Sequence, residues 1–193
     1  MSRVGQVTRT TSETGVSVSI DLEGSGEVSV DTGVPFFDHM LSQFGTHGRF
    51  DVHIDARGDL DVDAHHMVED VGIALGQAVR AAVGDGRGIA RYASLHVAMD
   101  DALVLAAIDV GGRSFLHYGL PAQRVMLGTF PSDLSEEFFR AFVAHAAVTL
   151  HLVSEHGRNT HHIIEAAFKG VGIMLRAATQ VVRDDIPSTK GRL

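Results

Sequence analysis

Cysteine is absent from the 193-residue chain, which excludes disulfides, thiolate zinc sites, iron–sulfur clusters and cysteine nucleophiles. Any metal must therefore sit on nitrogen and oxygen. Tryptophan is absent too, and tyrosine occurs only twice. No run approaches the roughly 18 apolar residues of a membrane-spanning helix, and the opening MSRVGQVTRT has no apolar signal-peptide core. Positive charge is short: 16 Lys and Arg stand against 24 Asp and Glu, for a formal charge of −8. That balance argues against nucleic-acid or membrane-surface binding by the whole protein, while leaving room for a local basic pocket that holds a phosphate. A soluble cytoplasmic protein is the simplest reading. What the chain does have is a 45% hydrophobic content, enough for a real core, and 12 histidines. Attention shifts accordingly from aromatic stacking to imidazole chemistry.

VGQVTRTTSETGVSVSIDLEG reads as two strands of a hairpin, with Val16, Val18 and Ile20 alternating with polar neighbours. VSVDTG adds a third strand. FFDHMLSQF then spaces Phe37, Met40, Leu41 and Phe44 as a helix, which Gly45 and Gly48 are expected to interrupt. RFDVHIDARGDL returns to strand alternation, and HHMVEDVGIALGQAVRAAVG is a longer helix stopped at Gly84. The second half repeats the order. Three strand-like runs precede a helix in PSDLSEEFFRAFVAHAA, with Ser132 or Asp133 as its N-cap. VTLHLVSEHG and HHIIEAAFKGVGIMLRAATQVV follow. The chain thus reads as an internal duplication of an α+β unit, residues 1–84 and 85–193, joined around residues 84–92. On composition alone the tail DDIPSTKGRL is a frayed terminus.

The recurring element is HHxxE, as HHMVED at residues 65–70 and HHIIEA at residues 161–166. On a helix, residues four apart share a face and adjacent residues diverge by about 100°. His65 with Glu69, and His161 with Glu165, can each grip one cation, while His66 and His162 point toward a second. One such pair alone is more often a solvated helix face; recurrence at the same place in both halves turns the reading to metal. Neither motif closes a site by itself, so ligands from another copy of the chain, in a homo-oligomer with metals near its interfaces, are expected. Imidazole and carboxylate without sulfur suit manganese, iron(II) or zinc with open positions. His39 lies beside Asp38, which can orient its ring, and packing or ligation both remain open for it. His47 is placed to meet the last carbonyls of its helix. His53, His96, His117, His145, His151 and His156 read as structural or surface histidines.

Taken in order, these stretches resemble imidazoleglycerol-phosphate dehydratases, hydro-lyases of histidine biosynthesis. The resemblance rests on the R…T-x-E-T of residues 9–14, FFDHMLSQFGTHGRFD at 36–51, GDLDVDAHHMVEDVGIALGQA at 58–78, GIARY, EFFRAF, TLH, GRNTHHIIEAAFK and PSTKG. It implies two α/β-sandwich halves of the ribosomal protein S5 domain 2-like kind, each a mostly antiparallel sheet with two helices on one face. It also implies two manganese ions per site and an assembly of usually 24 copies with active sites at subunit contacts. The reaction implied is dehydration of D-erythro-imidazoleglycerol phosphate to imidazole-acetol phosphate. Carried over by position, the metal ligands are His39, His65, His66, Glu69, Glu137, His161, His162 and Glu165, with Glu137 standing where the family often has histidine. Arg91, Arg113, Ser188 and Lys190 are implied to hold the phosphate, with Thr189 among the substrate-binding residues, which turns the tail into a segment that closes on substrate. Glu13 is implied to lie near the polyol and is the first candidate for proton transfer, with a metal-bound water or a metal-ligating glutamate, Glu69 or Glu165, as alternatives. His47 and the stretch around it are implied to line the same pocket, along with His39, His65 and His66.

Three departures stand out: Pro35 for a common glycine, Asp101 where the family commonly has glutamate after Asp100, and GGR for SGR at 111–113. In the implied mechanism the substrate's imidazole ring is the electron sink, its two nitrogens held by two ions that stabilise an imidazolate and then a diazafulvene-like intermediate. A dinuclear metallohydrolase and a non-enzymatic metal-binding protein are the competing classes.

Overall fold

Alternating apolar positions form the inner faces of two four-stranded sheets in the computed structural model, which describes residues 3–121 and 124–191. The first half runs β1 (Val4–Thr10), β2 (Thr14–Asp21), β3 (Val28–Asp31), α1 (Pro35–Gly48), β4 (Asp51–Gly58) and α2 (His65–Val83). The second runs β5 (Tyr92–Met99), β6 (Ala102–Asp109), β7 (Phe115–Gly119), a two-stranded insert of β8 (Met126–Leu127) and β9 (Phe130–Pro131), α3 (Leu134–Ala146), β10 (Thr149–His156) and α4 (Thr160–Thr179). Sheet order is β1-β2-β4-β3 in one half and β5-β6-β10-β7 in the other. Each is antiparallel except for one parallel pair, β3 with β4 and β7 with β10. The duplicated order read from the sequence is therefore repeated strand for strand; the β8–β9 insert is not, because two-residue strands are too short to show periodicity.

Val16, Val18 and Ile20 on β2, Val52, Ile54 and Ala56 on β4, and Val104, Ala106 and Ile108 on β6 are all buried. Helices α2 and α4 cover these faces and cross over to the other half, α2 packing on α3 and α4 on α1. The four helices stand between the two sheets. Phenylalanines fill the seam: Phe37 meets Phe138 at 5.5 Å, and Phe168 lies 4.7 Å from Phe139. Each ring taken out of water contributes roughly 2–3 kcal/mol.

Gly45 and Gly48 do not interrupt α1, which runs on to a left-handed C-cap at Arg49. They are the thin side of the helix: a Cβ on Gly45 would sit 2.7 Å from the Val28 side chain, and one on Gly48 2.9 Å from the Gly172 carbonyl oxygen. Tertiary close approach outweighs the helix-breaking tendency of glycine here. Pro35 occupies the first turn of α1, where its missing N–H costs nothing. Asp133 stands at the N-cap of α3 without capping it through its side chain, and instead pairs with Arg124 at 3.3 Å.

The described part of the tail is tied down at its start, where Arg87 Nη1 donates to Asp184 O at 3.2 Å and Arg91 Nη1 to Pro187 O at 2.7 Å. Residues 178–185 hydrogen-bond to the joint between the halves, with the Arg91 N–H donating to Ala178 O at 2.7 Å, Ala90 N–H to Gln180 O at 2.8 Å and Gly88 N–H to Asp185 O at 2.9 Å. Gly88 adopts φ +81, and a Cβ there would meet the Arg183 carbonyl oxygen at 2.6 Å. That approach leaves no room for a side chain.

Candidate metal centre

Because α1 packs on α4, His39 comes to the first turn of α4. His161 Nε2 lies 2.9 Å and His39 Nε2 3.5 Å from the same oxygen, Glu165 Oε2. The ligand atoms of these three residues all fall within 4.8 Å of one another. Glu165 is buried, and its other oxygen, Oε1, is held by Lys169 Nζ at 2.7 Å. Burial pushes the carboxyl pKa up, but the hydrogen bonds of Lys169 and His161 and the charges of Lys169 and His39 outweigh it, leaving the group below the ordinary carboxylate value. Two imidazole nitrogens and one oxygen facing a common point, with a counter-charge behind, form a set that a divalent cation can enter.

The first-half motif is built differently. Glu69 is exposed, and among the described residues it makes no direct hydrogen bond or ion pair with His65. The position on α2 matching Lys169 is Ile73, which leaves no ammonium to draw the glutamate inward. Superposing the left-handed C-caps Arg49 and Ala147 sets Glu137 on α3 against His39 on α1. Glu137 faces Arg140 at 3.6 Å and joins no ligand group of three among the described residues.

The second histidine of each pair is held by a carboxylate. His66 Nδ1 lies 2.9 Å from Asp59 Oδ2 and 3.7 Å from Glu13 Oε2; His162 Nδ1 lies 2.7 Å from Asp101 Oδ1. The Asp59 hydrogen bond, against a smaller cost of burial, raises the pKa of His66. The backbone N–H of Arg158, the His162 ring and the N–H of Asn159 together hold the Asp101 carboxyl well below the carboxylate range. Asp101, the departure from the family pattern, still reaches its histidine.

Asp38 does not orient His39: its carboxylate accepts from the Thr32 N–H at 2.9 Å and the Thr32 hydroxyl at 2.5 Å, fastening the entry to α1. His47 Nε2 meets Gln43 Oε1 at 3.2 Å rather than helix carbonyls. Burial, then the charge of Lys169, lowers its pKa, which places it toward the Glu165 end of α4. Glu13 sits on the β1–β2 turn, whose shape is set by Thr11 Oγ1 accepting from the N–H of Glu13 and Thr14. Behind it, buried Asp70 receives the Thr14 hydroxyl and Arg9 Nε, the latter at 2.9 Å.

A second concavity, about 970 Å³, is lined by Arg91, Arg113, Arg183, Ser188, Thr189 and Lys190. All four residues expected to take the phosphate, and Thr189 beside them, thus line one cleft. Arg91 donates to Asp109 from Nε and Nη2, at 2.7 and 3.1 Å, and from Nη1 to Pro187 O at 2.7 Å. That is the structural ion pair its residue type suggests, and it leaves Arg91 holding the tail in place. The side chains of Arg113 and Lys190 have no ion-pair partner among the described residues.

The profile of the imidazoleglycerol-phosphate dehydratase family matches residues 32–175, and a protein of that name from Cereibacter sphaeroides is 51% identical over 194 residues, covering 99% of this chain and 100% of its own. The chain belongs to the imidazoleglycerol-phosphate dehydratase family. A dehydratase of the same name from Sinorhizobium fredii is 50% identical over 196 residues, with 100% and 97% of the two chains covered. Among solved structures, the family member from Pyrococcus furiosus superposes with a TM-score of 0.85 at 35% identity, over 97% of this chain and 100% of that one. The one from Staphylococcus aureus gives 0.83 at 35%, over 93% and 99%. Members of this dehydratase family are hydro-lyases, so the histidine clusters belong to an enzyme and not to a storage protein. Sequence reasoning missed Lys169, Asp59 and Asp109, which contact the expected site residues Glu165, His66 and Arg91. Lys169 follows Glu165 by one helical turn and was legible in principle; the other two meet their partners only through the fold.

Proposed function

We propose that this chain dehydrates D-erythro-imidazoleglycerol phosphate to imidazole-acetol phosphate. The observation that carries the reading is the pairing of a nitrogen-and-carboxylate cluster, His39, His161 and Glu165, with a separate basic cleft in an otherwise acidic chain. The donor set has the hard-to-borderline character that suits manganese, and we assign two ions per site, held by His39, His65, His66, Glu69, His161, His162 and Glu165, with Glu137 as a further ligand. Two ions, when bound, supply Lewis acidity to the two nitrogens of the substrate's imidazole ring, so that the ring can take up the charge left by proton removal. Arg113 and Lys190 supply charge-assisted donors to the phosphate, while Arg91 holds the closing tail through Pro187. Glu13, exposed on its turn and 3.7 Å from His66 Nδ1, carries the proton, with Glu69 and Glu165 as the alternatives.

One distance bears on assembly. Arg91 bonds at Ala178, near the C-terminal end of α4, whereas His161 opens that helix. From His161 to Ala178 the helix advances roughly 26 Å at about 1.5 Å per residue. The substrate, from ring to phosphorus, spans only roughly 9 Å by ordinary bond lengths. The metal cluster and the cleft of one chain therefore serve different substrate molecules, and each active site combines parts of at least two copies. This spacing supports a homo-oligomer, which we place at 24 subunits and in the cytoplasm. No helix among the described residues is long and apolar enough to cross a membrane.

The test is an assay with imidazoleglycerol phosphate on metal-stripped protein, reloaded with manganese and then with zinc. Formation of the keto product with manganese is expected. No turnover with any ion sinks the reading, and release of inorganic phosphate instead would make the protein a metallohydrolase.

A further inference from the structure

We infer that Asp59 and Asp101 are positioning residues that fix the second histidine of each pair, His66 and His162, through Nδ1, so that Nε2 is the nitrogen each presents to metal. This rests on the metal reading above and deepens it.

The contact recurs with matching geometry: His66 Nδ1 to Asp59 Oδ2 at 2.9 Å, His162 Nδ1 to Asp101 Oδ1 at 2.7 Å. Duplication alone does not account for the close contact, since Glu13 on the duplicated turn stands 3.7 Å from His66 Nδ1 and it is Asp59 that reaches hydrogen-bonding distance. Asp59 lies just after β4, and the residue following the matching Gly157 in the second half is Arg158. Asp101 lies in the β5–β6 turn, and the matching β1–β2 turn carries Glu13. Two different loops deliver a carboxylate to the same ring nitrogen, which is what a requirement of the imidazole, rather than an inherited loop, would produce.

The chemistry of that requirement is direct. A neutral imidazole donates from one nitrogen and accepts at the other, so a carboxylate that accepts the Nδ1–H hydrogen bond leaves the Nε2 lone pair outward and makes it a better donor to a cation. The Nε2 side of His162 meets only longer contacts, Asp100 Oδ2 at 3.5 Å and Asn159 Nδ2 at 3.4 Å, which an entering ion replaces. His161, His39 and Glu165 already direct Nε2, Nε2 and Oε2 at one another. All four histidines named here thus use the same nitrogen.

The experiment is Mn2+ titration of the full-length protein, read by calorimetry and by the electron paramagnetic resonance signal of free Mn2+. The variants are Asp59→Asn, Asp101→Asn, Asp101→Glu, His66→Ala and His162→Ala. Asp59 makes no other side-chain hydrogen bond among the described residues, so its substitution isolates the contact. Asp101 also accepts from the N–H of Arg158 and Asn159, so unfolding of the metal-free variants is followed in parallel, and Asp101→Glu, which keeps the acceptor, is expected to bind as the parent does. Each Asn variant should bind Mn2+ roughly 10–100-fold more weakly, with turnover recovered by added Mn2+ and KM for substrate little changed. Parent-like Mn2+ affinity in both Asn variants, with binding lost in the two Ala variants, overturns this inference and leaves the metal reading standing. Undiminished binding in the Ala variants overturns both.

Discussion

Two inactive variants of this chain should rescue one another. His161→Ala removes a nitrogen from the Glu165 cluster, and Arg113→Ala removes an unpaired cation from the basic cleft. Along α4, His161 and Ala178, where the Arg91 backbone is bonded, stand roughly 26 Å apart at about 1.5 Å per residue, against a substrate of roughly 9 Å by ordinary bond lengths, so on the proposed shared-site reading one chain does not supply both regions to one molecule. Co-expressed as differently tagged chains and purified through both tags, the variants form mixed oligomers. A site is intact when its cluster comes from the Arg113→Ala chain and its cleft from the His161→Ala chain. With random mixing in a symmetric assembly that is about one site in four, so about one quarter of the parent turnover per chain is expected. Each variant alone should show none. The assay is keto-product formation at saturating Mn2+, with KM at the parent value because the surviving sites are complete. Zero activity in verified mixed oligomers would refute the reasoning, for it would mean that each site draws its cluster and its cleft from a single chain.

Three further expectations follow from particular contacts. Gly172→Ala should destabilise the protein by about 1–3 kcal/mol although alanine is the better helix former, because the new Cβ would lie 2.2 Å from the Phe44 carbonyl oxygen; urea unfolding measures it. The Tyr118 hydroxyl, 2.5 Å from Ser135 Oγ, is pushed by burial from 10.0 up to about 12. A raised folded pKa contributes stability that is complete below the unfolded value and lost as pH climbs through the folded one, here about 3 kcal/mol between pH of about 10 and about 12. Tyr118→Phe should flatten that alkaline loss in pH-dependent denaturation. Thr14→Val removes a donor from buried Asp70, costing about 1–2 kcal/mol and loosening the turn that carries Glu13; a fall in turnover larger than any change in Mn2+ affinity is the expected split.

The fold was legible wherever it is periodic. Val16, Val18 and Ile20 announce β2 by alternation, and the apolar spacing of Phe37, Met40, Leu41 and Phe44 announces α1. What periodicity cannot carry is where a helix ends when its glycines are used for packing, which is why α1 continues through Gly45 and Gly48. It also cannot register two-residue strands such as β8 and β9. At the site, His161 with Glu165 was readable because one helical turn brings them together. The matching pair His65 and Glu69 has the same letters and a different outcome, since burial and a neighbouring lysine are supplied at Glu165 and not at Glu69.

By itself the sequence determined the chemistry available: no sulfur, two HHxxE helices, an acidic chain with a few scattered cations, and a duplicated order of elements. Only the tertiary structure decided which of these groups meet. His39 reaches Glu165 because Gly172 and Gly48 let α4 and α1 close on each other; Asp59 and Asp101 reach their histidines from loops with no common register. The basic residues gather at the far end of α4 from its histidines. The physical reason is that a residue's type and local spacing are written along the chain, whereas the distance between residues remote in sequence depends on how whole elements pack.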